Sequence, residues 1–256
     1  MEEKKKHKVR VTKEDIKAGL RQLGLKKGDV VGVHSSLSSF GYVEGGAGAV
    51  VDALLEVVDE EGSIVMPTYS TNTMAVEITP EEAKMGVALK FKILPYDPKE
   101  NPCSTGIISE TFRKRKGAVR GLDPVTSVAS MGAKAKELAR GRWKRLLELD
   151  GYILLMGVGL ERCSAMHLAE ERVQLPPHIL KRITPPKWFL EKYPEEEWEI
   201  EYGPYPDFAK MEDPCIKNGI MKTVKVGEAT LKLVRLRELI DLYAEYLKKS
   251  PDLFYG

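Results

Sequence analysis

The chain has 256 residues, 43% hydrophobic and 30% charged, with 40 basic against 38 acidic side chains. This length allows one large domain or two modest ones, with a core large enough to need no staples, and the order of elements along the chain favours a single domain over residues 1–256; the apolar content excludes intrinsic disorder. A net charge of +2 excludes a dedicated nucleic-acid binder, and no apolar run approaches the roughly 20 residues that span a bilayer. The start, MEEKKKHKVR, lacks the apolar stretch of a signal peptide, so a cytoplasmic protein without membrane association is expected. Cys103, Cys163 and Cys215 are widely spaced and odd in number, which supports neither a disulfide framework nor a CxxC zinc site. Two Gln and three Asn among abundant Lys, Arg and Glu make a thermophile-like composition, which speaks to working temperature and not to chemistry.

After a basic start expected to fray, Thr12 and Asp15 form a capping-box pattern before an amphipathic stretch with Ile16, Leu20 and Leu23. Residues 26–29 read as a turn into 30–33, a short apolar run suited to a buried strand. That strand ends at His34 and opens into a small-residue loop over 35–48. A helix follows, with Val50, Val51, Leu54, Leu55 and Val58 on its inner face, and then a second strand, 63–66, stopped by Pro67. Strand, loop, helix and strand make a βαβ unit, which predicts a parallel or mixed sheet covered by helices. Segment 70–105 is proline-marked and reads as irregular loop. Helices are expected at 107–115, 133–138, 143–149 and 164–172, with a third strand at 152–158. From 176 to 214 prolines, aromatics and acids dominate, read as a small α+β excursion from an α/β body. A hairpin of 221–226 with 230–234, and a closing helix over 236–247, complete the chain.

His34 sits where the first strand opens into HSSLSSFGYVEGGAGAV, the end at which sheets of this type place ligands. Ser35, Ser36, Ser38 and Ser39 offer hydroxyls, while Gly45, Gly46 and Ala47 let backbone N–H groups face an anion at a helix start. A glycine-rich turn beside a satisfied histidine fits the same pattern. GK[ST] and GxGxxG are absent, so neither a P-loop nor a dinucleotide fingerprint is indicated. His167 has Glu170 at i+3 and Glu171 at i+4, so a carboxylate can share its helix face, fix its tautomer and raise its basicity. That is what a general base needs; a core histidine beside a solvated carboxylate is the plain alternative. His7, His34, His167 and His178 show no ligand spacing, so no metal is expected. Glu195, Glu196, Glu197, Glu199, Glu201, Asp207, Glu212 and Asp213 are opposed only by Lys210 in their stretch, which suits either a polycationic ligand or solvent. Asp207 is the member expected to point into a pocket. Cys163 precedes His167 by one helical turn without the features that a covalent mechanism demands. Arg113, Arg115 and Arg120 suit phosphates or an ordinary basic helix end.

The segments VHSSLSSFGYVEGGAGAVVDAL, GSIVMPTYS, NPCSTGIISETFRKRKGAVRG, DPVTSVASMGAKA, GYILLMGVG and HLAEE resemble, in order and spacing, the aminoglycoside 3-N-acetyltransferase family over most of the chain. The resemblance implies an antibiotic N-acetyltransferase fold: α/β, three layers, a mixed sheet between helices, distinct from the GNAT fold. It also implies transfer of acetyl from acetyl-CoA to the 3-amino group of an aminoglycoside, a small cationic acceptor, with antibiotic resistance as the role. His167 matches the family's HxAE histidine, expected as general base with Glu170 in support, and His34 matches the histidine expected beside the thioester. Ser35, Ser36, Leu37 and Ser38, with Gly45, Gly46 and Ala47, match the region that holds pantetheine and pyrophosphate. Ser104, Arg113, Arg120 and Ser127 fall in the next CoA-side segments, and Asp207, Glu201 and Asp123 are the candidate substrate-side carboxylates. Two departures stand out: members commonly read RSxHP where this chain has Arg120-Gly121-Leu122-Asp123-Pro124, and NTSxH where it has Cys163-Ser164-Ala165-Met166-His167. Acyl transfer to another amine and a CoA-binding protein without catalysis are the rival expectations; a homodimer is compatible with all of them.

Overall fold

The computed structural model describes residues 9–70 and 72–256; the basic start through residue 8 lies outside them. Arg10–Val11 (β1), at the end of that start, is paired and not frayed, running parallel to Tyr42–Val43. Helix α1 (Lys13–Leu23) begins on Thr12, whose hydroxyl accepts from the Asp15 amide while the Asp15 carboxylate accepts from the Thr12 amide. The expected βαβ unit follows as β2 (Val30–Ser35), β3 (Tyr42–Val43), α2 (Gly46–Val58) and β4 (Ser63–Pro67). Next come β5 (Thr73–Ala75), α3 (Pro80–Lys84), β6 (Val87–Ile93), α4 (Ile107–Arg113), β7 (Val119–Arg120), β8 (Val128–Gly132), α5 (Ala135–Glu148) and β9 (Tyr152–Met156). Two 3₁₀ segments, Leu160–Arg162 and Ser164–Arg172, lead to α6 (Pro177–Ile183), α7 (Lys187–Lys192) and β10 (Trp198–Tyr202). A further 3₁₀ turn, Phe208–Met211, precedes α8 (Glu212–Lys217), the hairpin β11 (Met221–Val226) and β12 (Ala229–Arg235), α9 (Leu236–Lys249) and α10 (Asp252–Tyr255).

Seven strands form a mixed central sheet in the order β11-β12-β9-β2-β4-β8-β7. β2 runs parallel to both β4 and β9, and the remaining pairs are antiparallel. Alternation along the strands divides the core into two layers. Val31, Val33, Ile64, Met66, Leu154 and Met156 pack with Ile16, Leu20, Leu54 and Phe112 of α1, α2 and α4. Val65, Ile153 and Leu155 pack with Trp143, Leu146, Met166, Leu239 and Tyr243 of α5, the second 3₁₀ segment and α9. This is the expected three-layer architecture. Among the described residues no helix is long and apolar enough to cross a membrane.

Local pattern missed part of it. Segment 70–105, read as loop, contains β5, α3 and β6, and β6 pairs with β10 of the 176–214 excursion in a separate three-stranded antiparallel sheet. The alternation there is masked because a lysine points inward: Lys90 is buried against Glu82 (Nζ–Oε2 2.6 Å), and the Tyr193 hydroxyl donates to the same carboxylate. The helices expected at 133–138 and 143–149 are present as the two halves of α5, which meet at the non-helical residue Arg142 (φ 47°, ψ −136°). Segment 164–172 is 3₁₀ and not α-helical.

Gly132 ends β8 with φ +101°, and a Cβ there would lie 2.1 Å from the Gly62 carbonyl oxygen and 2.8 Å from Ser63 Cα. Neither backbone atom can move without opening the β4–β8 pair. Gly132→Ala is therefore expected to cost about 3 kcal/mol or more, from positive-φ strain and a backbone clash together, read as a fall in the urea midpoint.

Candidate active site

β2 and β9 are parallel neighbours, yet the chain leaves them on opposite faces of the sheet. After β2 it enters α2, in the layer with Ala47 and Val50; after β9 it enters the 3₁₀ segments, in the layer with Ala165 and Met166. Diverging connections leave a crevice at the carboxyl ends of the strands, where α/β sheets bind ligands. A cleft of about 1190 Å³ opens there. Its walls come from His34–Ser38 after β2, Pro67 and Tyr69 after β4, the segment 104–109 at the start of α4, Gly157 and Val158 after β9, Ser164 and His167 on the 3₁₀ segment, and Phe208.

His34 shares its strand face with Gly32, toward α5. It is 4% exposed, stacks on Trp143 (ring centroids 5.2 Å apart) and leaves Nε2 buried without a hydrogen-bond partner. Burial pushes its pKa down to about 4, so the imidazole is neutral near pH 7. The next side chain, Ser35, points to the other face, and its hydroxyl is also buried without a partner. Such orphaned polar atoms are costly unless a ligand satisfies them.

His167 is half exposed, with Nδ1 3.1 Å from Glu170 Oε1 and its ring edge-on to Phe208 at 4.8 Å. The 3₁₀ geometry explains the choice between the two carboxylates. At three residues per turn, positions i and i+3 eclipse, so Glu170 stands over the histidine while Glu171 is turned out to solvent. With Nδ1 engaged, Nε2 is the nitrogen left for a ligand. In the same cleft the Tyr69 hydroxyl donates to Ser164 Oγ at 2.6 Å, and burial pushes the Tyr69 pKa up, keeping that proton in place. Tyr69, Ser164 and Phe208 carry no motif of their own, and only the PTYS and CSAMH segments around two of them gave a signal.

The model of the aminoglycoside 3-N-acetyltransferase family matches residues 33–248. A Bacillus subtilis (strain 168) protein, the SPbeta prophage-derived aminoglycoside N(3')-acetyltransferase-like protein YokD, is 32% identical, with 90% of each chain covered. The crystal structure of aminoglycoside acetyltransferase AAC(3)-Xa superposes with a TM-score of 0.75 at 25% identity, covering 95% of both chains. AAC-IIIb, solved as a binary complex with CoASH, shares the fold at a TM-score of 0.74 and 21% identity, covering 94% of this chain and 97% of that one. The chain belongs to the aminoglycoside 3-N-acetyltransferase family.

The other candidate positions fall in several places relative to the cleft of this family member. Ser104 lines it, its hydroxyl donating to the Tyr69 carbonyl. Gly45, Gly46 and Ala47 lie just beyond the cleft residue Val43, where α2 starts on two glycines of positive φ (74° and 57°) without a capping side chain. Arg113 is committed to Glu110 (Nε–Oε2 2.6 Å) and Arg115 to Asp52 (2.6 Å). Arg120 donates to the carbonyls of Thr68, Pro98 and Asn101 and lies over the Tyr96 ring, stapling the 96–101 loop to the end of β4. Arg120, Asp123 and Ser127 line a second, smaller pocket with Lys136, Arg140 and Arg142. There the Asp123 carboxylate accepts from the amides of Val125 and Thr126 and from Arg142 (2.8 Å). Asp207 is exposed, caps the Phe208–Met211 turn and pairs with Lys210, so the excursion presents Phe208 to the cleft and not its acid. Glu201 accepts from Tyr205 beside Glu199, whose pKa is pushed up to about 6 by burial and by Glu201, Asp123 and Glu195. Cys163 is fully buried, its thiol pushed up to about 12, which removes the thiolate that a covalent route would need. Among the described residues no group of three or more His, Cys, Asp or Glu is arranged to hold a metal ion.

His34 supplies a pH signature. Its folded pKa, about 4, lies below the unfolded value of 6.5, so the unfolded chain binds the extra proton between those limits. Stability therefore falls as pH drops from about 6.5 to 4, by roughly 3 kcal/mol for this group. Urea unfolding of the wild type and His34→Gln across that range should show the slope attenuated in the variant.

Proposed function

We propose that this chain transfers acetyl from acetyl-CoA directly to an amine, the 3-amino group of an aminoglycoside, with His167 as the general base. The observation that carries this is the His167–Glu170 pair, open to a cleft that also holds the unpartnered polar atoms of His34 and Ser35. Those orphaned atoms, and the hydroxyl-rich stretch from Ser35 to Ser38, suit a long polar ligand such as the pantetheine arm, and the CoA-bound relative AAC-IIIb supports the same donor. Acetyl-CoA, when bound, supplies a thioester carbonyl as electrophile. Glu170 holds the Nδ1–H tautomer of His167, so Nε2 accepts the amine proton as the C–N bond forms and the C–S bond breaks. The Ser35 and Ser164 hydroxyls are donors suited to the negative charge that develops on the acyl oxygen. His34, neutral, serves as a hydrogen-bond partner and not as a base. His167→Ala should lower kcat about 10²–10⁴-fold with the KM for acetyl-CoA little changed, measured by CoA thiol release. Turnover near that of the wild type would overturn the assignment.

One observation favours a second reading, acyl transfer to a less highly charged amine. Among the described residues, the Asp, Glu, Lys and Arg side chains lining the cleft are Glu161 and Arg162, whose charges cancel, while Asp207, Glu201 and Asp123 are engaged elsewhere. The salt dependence of the acceptor KM separates the two readings. A polycation drawn in by carboxylates loses affinity steeply as ionic strength rises, whereas a singly charged amine gives a nearly flat profile.

A further inference from the structure

The second pocket is built for a different kind of ligand from the cleft, and acyl transfer gives it no role. It encloses about 520 Å³, room for one small molecule, between β7, the last strand of the central sheet, and the first half of α5. Four basic side chains line it, Arg120, Lys136, Arg140 and Arg142, against one acid, Asp123. That carboxylate is fully engaged: it accepts from the amides of Val125 and Thr126, from the Thr126 hydroxyl and from Arg142. Glu195, Glu199 and Glu201, the acids whose field Asp123 shares, do not line the pocket. Its wall is therefore strongly positive, whereas the cleft is close to neutral.

An ordinary solvated helix face intersperses acids with its bases. Elsewhere on α5 this is so: Lys134 and Arg145 both pair with Glu137. Lys136 and Arg140, four residues apart and so on one face, are exposed into the pocket and meet neither a carboxylate nor a carbonyl among the described residues. Arg142 bonds to Asp123 and Thr126 through one terminal nitrogen, which leaves Nε and the other terminal nitrogen as donors without an acceptor among the described residues. Arg120 donates only to carbonyls and to the Thr68 hydroxyl, so its half-buried charge has no counter-ion. The backbone of Arg142 is strained (φ 47°, ψ −136°), a cost that persists where surroundings over-determine it and that clusters at ligand clamps. Val119, Ala139 and the 80% exposed Leu122 add an apolar side. Several cations around one concavity exceed what a single carboxylate neutralises and match a dianionic phosphate with three acceptor oxygens.

We propose that this pocket binds a small organic phosphate, with Lys136, Arg140 and Arg142 holding the phosphate group and Val119, Leu122 and Ala139 facing the apolar body. The site is separate from the cleft, and its test needs no turnover, so it stands or falls independently of the acyl-transfer reading. The probe is phenyl phosphate, titrated into the ¹⁵N-labelled protein with and without CoA and followed by the backbone amide signals. Saturable shifts are expected at Gly121, Leu122 and residues 139–143, with the same affinity whether or not CoA is present. Arg140→Gln and Lys136→Gln, both at exposed helix positions, should each weaken binding about tenfold, the worth of one charge-assisted hydrogen bond. Lys144→Gln removes the same charge from an exposed position of α5 outside the pocket and should leave the affinity unchanged. Equal weakening by Lys144→Gln would reduce the effect to general attraction by a positive surface and overturn the proposal. Shifts that never saturate would do the same. Displacement of phenyl phosphate by CoA would assign the pocket to the phosphates of the acyl donor and overturn it as a separate site.

Discussion

The parallel pairing of β2 with β9, register His34 to Leu155 and Ser35 to Met156, is the constraint on which the site depends. Two strands that run together but hand the chain to opposite faces cannot close over their own ends. Every cleft residue is reached from one of those two exits or from a neighbour held against them. The β4 exit places Tyr69, and the antiparallel β8 begins beside it, so Ser127 can anchor the Thr68 carbonyl (2.7 Å) and Arg120 can hold the following loop in place. Hydrophobic burial on both faces of the sheet drives this arrangement, and the crevice is its geometric consequence.

Two histidines with the same solution chemistry end up with different capacities. His34, buried at the end of the central strand β2 against Trp143, has its pKa lowered to about 4 by desolvation and is neutral near pH 7. His167, half exposed and leaning on Glu170, keeps a carboxylate to stabilise the imidazolium if it forms. Different environments thus give one cleft an imidazole kept neutral by burial and another that stands beside a carboxylate.

The small sheet of β5, β6 and β10 is built on different terms. Its interior holds the Lys90–Glu82 pair with the Tyr193 hydroxyl, a polar arrangement that adds little net stability but penalises a one-residue slip, which would bury one charge without the other. That register carries the chain through Glu199 and Glu201 to Phe208, which meets His167. The acids of this stretch are thereby divided between mutual repulsion around Glu199 and local capping at Asp207, leaving the cleft close to neutral.

Local rules written in the sequence determined much of this protein. The Thr12 capping box, the βαβ period from Val30 to Pro67, the terminal hairpin and the spacing of His167 to its carboxylates all act over a few residues, where propensity and periodicity are strong. The ordered family segments carried the fold class and the cleft-lining serines. The tertiary structure alone decided which carboxylate serves His167, because 3₁₀ winding, imposed by packing against α9, favours i+3 over i+4. It also decided that Arg113, Arg115 and Arg120 spend their charges internally, that segment 70–105 supplies two strands of a separate three-stranded sheet, that Trp143 stacks on His34, and that Tyr69 meets Ser164. Those outcomes depend on contacts between residues far apart in the chain, whose side-chain types are ordinary at each position and acquire a role only when burial removes water as the alternative partner.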